Sequence, residues 1–152
     1  MQIYVRALER LGVQASTLRL PKGVAERATR ALCEQVGDDL AAAVIGGHSY
    51  GGRVASLVAA DTPPAGLVLL SYPLHRPGRP DELRVDHWSS IACPVLLLSG
   101  DRDQFARIDL LRQSVGLLAH AQLHLYPGMR HGLRDVADDV AQRIESFVGG
   151  LP

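Results

Sequence analysis

The chain has little of several things that would point elsewhere. Only two cysteines occur in its 152 residues. Cys33 and Cys93 are far apart and form no C-x-x-C pattern, which fits two reduced thiols in a cytoplasmic protein. Lys22 is the only lysine, and the formal net charge is +0. A neutral chain offers no electrostatic reason to expect nucleic acid or an anionic membrane surface as partner. No apolar run reaches the roughly 20 residues of a membrane span, and Met1 to Gly12 reads as an amphipathic helix rather than a signal peptide. No two histidines have metal-ligand spacing on one helix face, so no metal is expected. The glycine-rich stretch near residue 47 lacks the Gly-Lys-Ser/Thr ending and the G-x-G-x-x-G spacing of phosphate loops, which argues against a nucleotide-binding domain. No repeat, low-complexity tract or linker divides the chain, so a single domain over residues 1–152 is expected. Abundant alanine, with arginine in place of lysine, suggests a GC-rich bacterial genome.

What is present is a core-forming composition, 47% hydrophobic, arranged in alternating patterns. A short helix ends at Gly12, and Val13 to Leu20 reads as a strand closed by Pro21. Val24 to Val36 has helical spacing at Ala25, Ala28, Leu32 and Val36. Gly66 to Ser71 and Pro94 to Ser99 are apolar throughout, like strands buried on both faces. Ile108 to Leu118 reads as a helix, Gln122 to Tyr126 as the last strand, and Leu133 to Val148 as the last helix. Alternating strands and helices predict an α/β fold, a parallel sheet of about five strands covered on both faces.

One stretch organises the rest: Ala42 to Ile45 reads as a strand, Gly46 to Gly52 as a tight turn, and the residues to about Ala60 as a helix. Ser49 sits at the tip between Gly47 and Gly51, in the pattern G-x-S-x-G. A serine on such a turn stands clear of the sheet, and glycines let the flanking backbones approach closely. The helix that follows points its free N–H groups at the serine, with Tyr50 N–H the first candidate oxyanion donor.

A serine nucleophile needs a base. In an open parallel sheet, chemistry gathers at the carboxyl ends of the strands. After Pro94–Ser99 come Gly100-Asp101-Arg102-Asp103; after Gln122–Tyr126 come Pro127-Gly128-Met129-Arg130-His131. An acid and a histidine thus emerge on the edge that carries Ser49, with His131 the candidate base. Asp103 and Asp101 compete as the acid. Asp101 has the alternative of capping its turn or pairing with Arg102, and Asp103 that of capping a helix before Phe105. His48 is expected to pack under the elbow, and His120 and His124 to be core or surface. His75 and His87 lie in a proline-rich loop running from Tyr72 to Trp88. If that loop serves a pocket, Tyr72 and Leu74 line it and Arg76 or Arg79 meets an anionic substrate; otherwise it is a solvated crossover.

The elbow and the order Ser49, Asp103, His131 resemble the alpha/beta-hydrolase family. The Gly-x-x-Asp pattern of that family fits Gly100 and Asp103. The elbow, the Tyr-Pro-Leu-His loop at 72–75 and the Gly-x-x-Asp loop resemble one branch of it. That branch holds bacterial dienelactone-hydrolase-like proteins and a subunit of the eukaryotic non-specific-lethal complex. True dienelactone hydrolases carry cysteine where this chain has Ser49. The resemblance implies a serine hydrolase of an ester, thioester or lactone, acting on a small-molecule acyl substrate without a cofactor. It also implies that a strand and a His-Gly-type loop bearing the second oxyanion N–H precede the first helix. The expectation is therefore a partial, N-terminally truncated domain. Its Val13–Leu20 strand either pairs directly with the elbow strand or leaves a slot about one strand wide, ~4.8 Å, that favours a homo-oligomer. The alternative function is a weak or inactive hydrolase-like binding or scaffold protein.

Overall fold

A computed structural model describes residues 1–152. Helix α1 (Gln2–Arg10) buries Tyr4, Ala7 and Leu8, the i, i+3, i+4 stripe of an amphipathic helix. Helix α2 (Ala25–Val36) buries Ala25, Ala28 and Leu32. Strand β1 (Val44–His48) leads directly into α3 (Tyr50–Asp61). Then come β2 (Gly66–Leu70), a long crossover, β3 (Val95–Gly100), α4 (Ile108–Val115), β4 (Ala121–Tyr126) and α5 (Ala137–Gly149). Helix α4 stops short of Leu118, because Gly116 turns back to bond Gln113 O. The expected start of the last helix at Leu133 is a 3-10 turn, Arg134–Val136, ahead of α5.

The sheet order is β1-β2-β3-β4, all parallel. Every residue of β2 and β3 is buried, as their unbroken apolar runs require. Alternation within them divides the core in two. Leu67, Leu69, Val95 and Leu97 face one way, onto α2, α3 and Leu111 of α4. Val68, Leu70, Leu96 and Leu98 face the other, onto α1 and α5. Each such leucine or valine, fully withdrawn from water, contributes roughly 1.5–3 kcal/mol, so the sandwich is what holds the strand ends in place. No helix is long and apolar enough to cross a membrane.

One expected strand does not form. Val13–Leu20 has no ladder partner, so the sheet has four strands rather than about five. Gln14, Ser16, Thr17, Leu18 and Arg19 are exposed, so no alternating face is buried. At Arg19 a side chain takes the backbone instead: Arg19 N–H donates to Gln35 Oε1 (3.1 Å), and Gln35 Nε2 donates to Arg19 O (2.8 Å). Of the two expected arrangements, direct pairing with β1 does not occur, and β1 is an edge strand.

Candidate active site

Ser49 follows β1 with φ 50° and ψ −113°, a conformation that L-residues other than glycine rarely adopt. Its N–H donates to Leu70 O at 2.9 Å, which extends the β1–β2 ladder to the turn itself. The close approach beneath the turn is between Gly47 and Gly52. A Cβ on Gly47 would lie 2.7 Å from the Gly51 carbonyl carbon, and one on Gly52 would lie 2.7 Å from Gly47 O. Gly51 has open space where its Cβ would be, which corrects the expectation from the motif: its second glycine is not the one the packing demands. Helix α3 begins at Tyr50, and the first N–H groups of a helix have no partner within it. The Tyr50 hydroxyl is used elsewhere, donating to Pro21 O at 2.8 Å.

Register brings the acid and the base to the same edge. His48 is level with Leu70, Leu70 with Leu98, and Gly100 with Tyr126. The loops after β3 and β4 then run against each other. Arg102 N–H donates to Met129 O at 2.9 Å. A Cβ on Gly100 would meet Met129 O at 2.2 Å and Arg130 O at 2.5 Å, so only glycine lets the histidine loop cross there. Asp101 turns away from the elbow: its Oδ1 accepts the Gly128 N–H at 2.7 Å. Asp103 is the acid that meets the histidine.

His131 Nδ1 lies 2.9 and 2.8 Å from the two carboxylate oxygens of Asp103, and His131 Nε2 lies 2.8 Å from Ser49 Oγ. A carboxylate only accepts, so Nδ1 carries the proton and Nε2 accepts from the serine hydroxyl. The Asp103 side chain has 0% exposure and the His131 ring 20%, so the carboxylate is dry and the imidazole reachable. Asp103 Oδ1 also accepts the Phe105 N–H at 2.8 Å. Helix α4 begins only at Ile108, so this is a local turn and not a helix cap. The Phe105 ring lies 4.3 Å from the His131 ring, centroid to centroid. His48, expected only to pack under the elbow, also makes a hydrogen bond. Its Nε2–H donates to His131 O at 2.8 Å and ties the His131 backbone to the end of β1. Burial holds the His48 pKa below the usual imidazole range. No signal in the sequence marks that bond, which joins residues far apart in the chain.

The two expected pocket residues of the crossover are buried. Tyr72 is 2% exposed and Leu74 0%, both in the core between α3 and the sheet. Tyr72 packs edge-on against Trp88 and donates its hydroxyl to Arg84 O at 2.6 Å. The crossover drives both inward, and neither is among the residues lining the hollow beside the elbow. Arg76 is exposed and in no ion pair, whereas Arg79 pairs with Glu82. His87 bonds Ser56 Oγ at 2.8 Å, behind the elbow helix. No three His, Cys, Asp or Glu side chains converge as a metal site would require. A hollow of about 490 Å³ opens beside the elbow, lined by Ile3, Tyr4, His48, Gly132 and Arg134 among others. A larger one, about 710 Å³ between β4 and α5, contains none of Ser49, Asp103 and His131.

A parallel sheet between helical layers, with a strained serine on a strand–helix turn facing a histidine and an aspartate, defines the class of the alpha/beta hydrolases. The alpha/beta hydrolase domain family matches residues 4–145, and the chain belongs to that family. Among solved structures, the fold is similar to that of a predicted CIB-like hydrolase from Thermoplasma acidophilum, with a TM-score of 0.71 at 16% identity. That match covers 91% of this chain and 66% of the other. An alpha-beta serine hydrolase homologue from Coxiella burnetii is similar at TM-score 0.70 and 20% identity, over 96% of this chain and 74% of that one. An esterase from Rhodococcus is similar at TM-score 0.73 and 15% identity, over 99% and 86%. The chain thus spans about two thirds to six sevenths of the length of these proteins.

Proposed function

We propose that this chain is a serine hydrolase of carboxylic esters, thioesters or lactones, acting through an acyl-enzyme on Ser49. The observation that carries this reading is the hydrogen-bonded line Ser49 Oγ, His131 Nε2, His131 Nδ1, Asp103, each contact 2.8–2.9 Å long. In this reading Ser49 Oγ attacks the acyl carbon while His131 Nε2 takes its proton. Asp103, buried and acceptor-only, holds the tautomer and stabilises the imidazolium. The charge that develops on the acyl oxygen is met by Tyr50 N–H at the start of α3. His131 then protonates the leaving alkoxide or thiolate. A water, deprotonated by the same nitrogen, releases the acid and restores Ser49. No step calls for a cofactor. Arg76, an exposed cation with no acidic partner, is the group we assign to an anionic part of the substrate.

A second reading, a weak or inactive hydrolase-like binding protein, draws on the edge position of β1. In this reading the nucleophile strand has a neighbour on one side only, and Tyr50 N–H is the one donor assigned to the oxyanion. A single oxyanion donor is worth about 2.7–4 kcal/mol, so a site short of one runs roughly a hundred- to thousandfold slower. Turnover of short-chain nitrophenyl esters and thioesters separates the two. The hydrolase reading expects turnover above that of Ser49→Ala. Turnover equal to that of Ser49→Ala, from folded protein, favours the binding reading.

A further inference from the structure

We propose that His75, in the crossover between β2 and β3, is a positioning residue: its neutral imidazole clamps the acid loop and so holds Asp103 against His131. The catalytic consequence rests on the serine-hydrolase reading; the clamp itself does not. His75 is 4% exposed. Its backbone N–H donates to Phe105 O at 3.0 Å, and its Nε2 accepts the Arg107 N–H at 3.1 Å. One residue thus grips the acid loop on both sides of Ala106. The other ring nitrogen, Nδ1, lies 2.8 Å from Arg76 O. A carbonyl only accepts and an N–H only donates, so Nδ1 carries the proton and Nε2 is bare. One neutral tautomer satisfies every partner.

The grip is two residues from the acid. Phe105, whose carbonyl His75 holds, gives its own N–H to Asp103 Oδ1 and rests its ring on His131. Ala106 N–H donates to Asp103 O at 3.2 Å. The turn 103–106 is therefore fixed at one end by β3 and at the other by His75. Without the second anchor the buried carboxylate keeps its chain connection but loses its aim. A misplacement of about 1 Å in such a constellation costs on the order of a hundredfold in rate.

The test uses the two amides that each mimic one ring nitrogen. In His75→Gln a side-chain oxygen reaches the position of Nε2 and can accept from Arg107. In His75→Asn the amide reaches only the position of Nδ1. The full chain is compared with both variants by fluorophosphonate labelling rate, by kcat and KM on a nitrophenyl ester, and by the Nδ1–H resonance of His131 in ¹⁵N-histidine-labelled protein. Thermal melts report folding. His75→Asn is expected to lower labelling and kcat about a hundredfold with KM little changed, and to shift or abolish the His131 resonance. His75→Gln is expected to restore most of both, whatever the two melting temperatures. Equal losses in Asn and Gln that follow stability, or an unchanged His131 resonance in His75→Asn, would overturn the proposal. If the wild-type chain neither labels nor turns over, the hydrolase reading fails, while the His131 resonance still decides the clamp.

Discussion

Gly47 and Gly51 are the two glycines of the G-x-S-x-G motif, yet the structure gives alanine opposite effects at the two positions. A Cβ on Gly47 would sit 2.7 Å from the Gly51 carbonyl carbon and 2.9 Å from Gly52 N. Carbon atoms rest at about 3.5–4.0 Å, so the contact is short by roughly 0.8 Å or more. Both opposing atoms are backbone and cannot rotate away. Overpacking costs about 1–3 kcal/mol, and this site belongs at the upper end, near ~3 kcal/mol. For a chain of this size that lowers Tm by roughly 6–12 °C. Gly52→Ala, with Gly47 O at 2.7 Å, behaves alike. Gly51 lies inside α3 with nothing within 4 Å of its Cβ position. Alanine there gains up to about 1 kcal/mol of helix propensity, or roughly 2–4 °C. Circular-dichroism melts of the three variants beside wild type are sufficient. If Gly51→Ala falls as far as Gly47→Ala, the elbow is not packed as described.

Asp103→Asn keeps the shape of the acid but favours the wrong His131 tautomer, and kcat on a nitrophenyl ester is expected to fall on the order of 10⁴-fold; a loss under tenfold would contradict the assigned role. Burial pushes the pKa values of His48 and His87 below the usual imidazole range. The folded chain therefore binds fewer protons than the unfolded one below about pH 6.5. Stability from these groups is fully present above that pH and is lost as pH falls through their folded values. Urea melts from pH 8 to 5 are expected to show this decline, with a shallower slope in His87→Gln; a flat profile would refute it. Arg76→Ala is expected to raise KM for acyl substrates that carry a carboxylate and to leave neutral esters unaffected, which parallel kinetics on the two series would check.

Much of this was legible because it rests on local pattern. The runs at 66–71 and 94–99 contain no polar side chain before their final serine, so only strands covered on both faces could hold them, and β2 and β3 follow. Once those strands are parallel, the residues that trail them must share an edge, which is why Ser49, His131 and an acid at Asp101 or Asp103 stand out as candidates; the choice of Asp103 draws also on the family resemblance. What stayed hidden depends on contacts between distant segments. Val13–Leu20 has strand-like composition, but whether it pairs is decided by what stands beside β1, and at Arg19 the Gln35 side chain takes both backbone groups. Tyr72 and Leu74 sit in a stretch that reads as loop, and only the packing of the crossover under α3 shows them buried. His48 and His75 bind main-chain atoms 83 and 32 residues away, and backbone acceptors and donors leave no mark in a sequence. The motif named Gly51, while the clash that makes glycine necessary falls one residue later.

The central claim is that Ser49 is a nucleophile activated by His131. Intact-mass measurement after fluorophosphonate treatment tests it most directly, on the wild-type chain beside Ser49→Ala and His131→Ala. The account predicts one adduct on the wild type, mapped to Ser49, absent from Ser49→Ala and strongly slowed in His131→Ala. A folded wild-type chain that takes no adduct, or one that labels equally in His131→Ala, would contradict it.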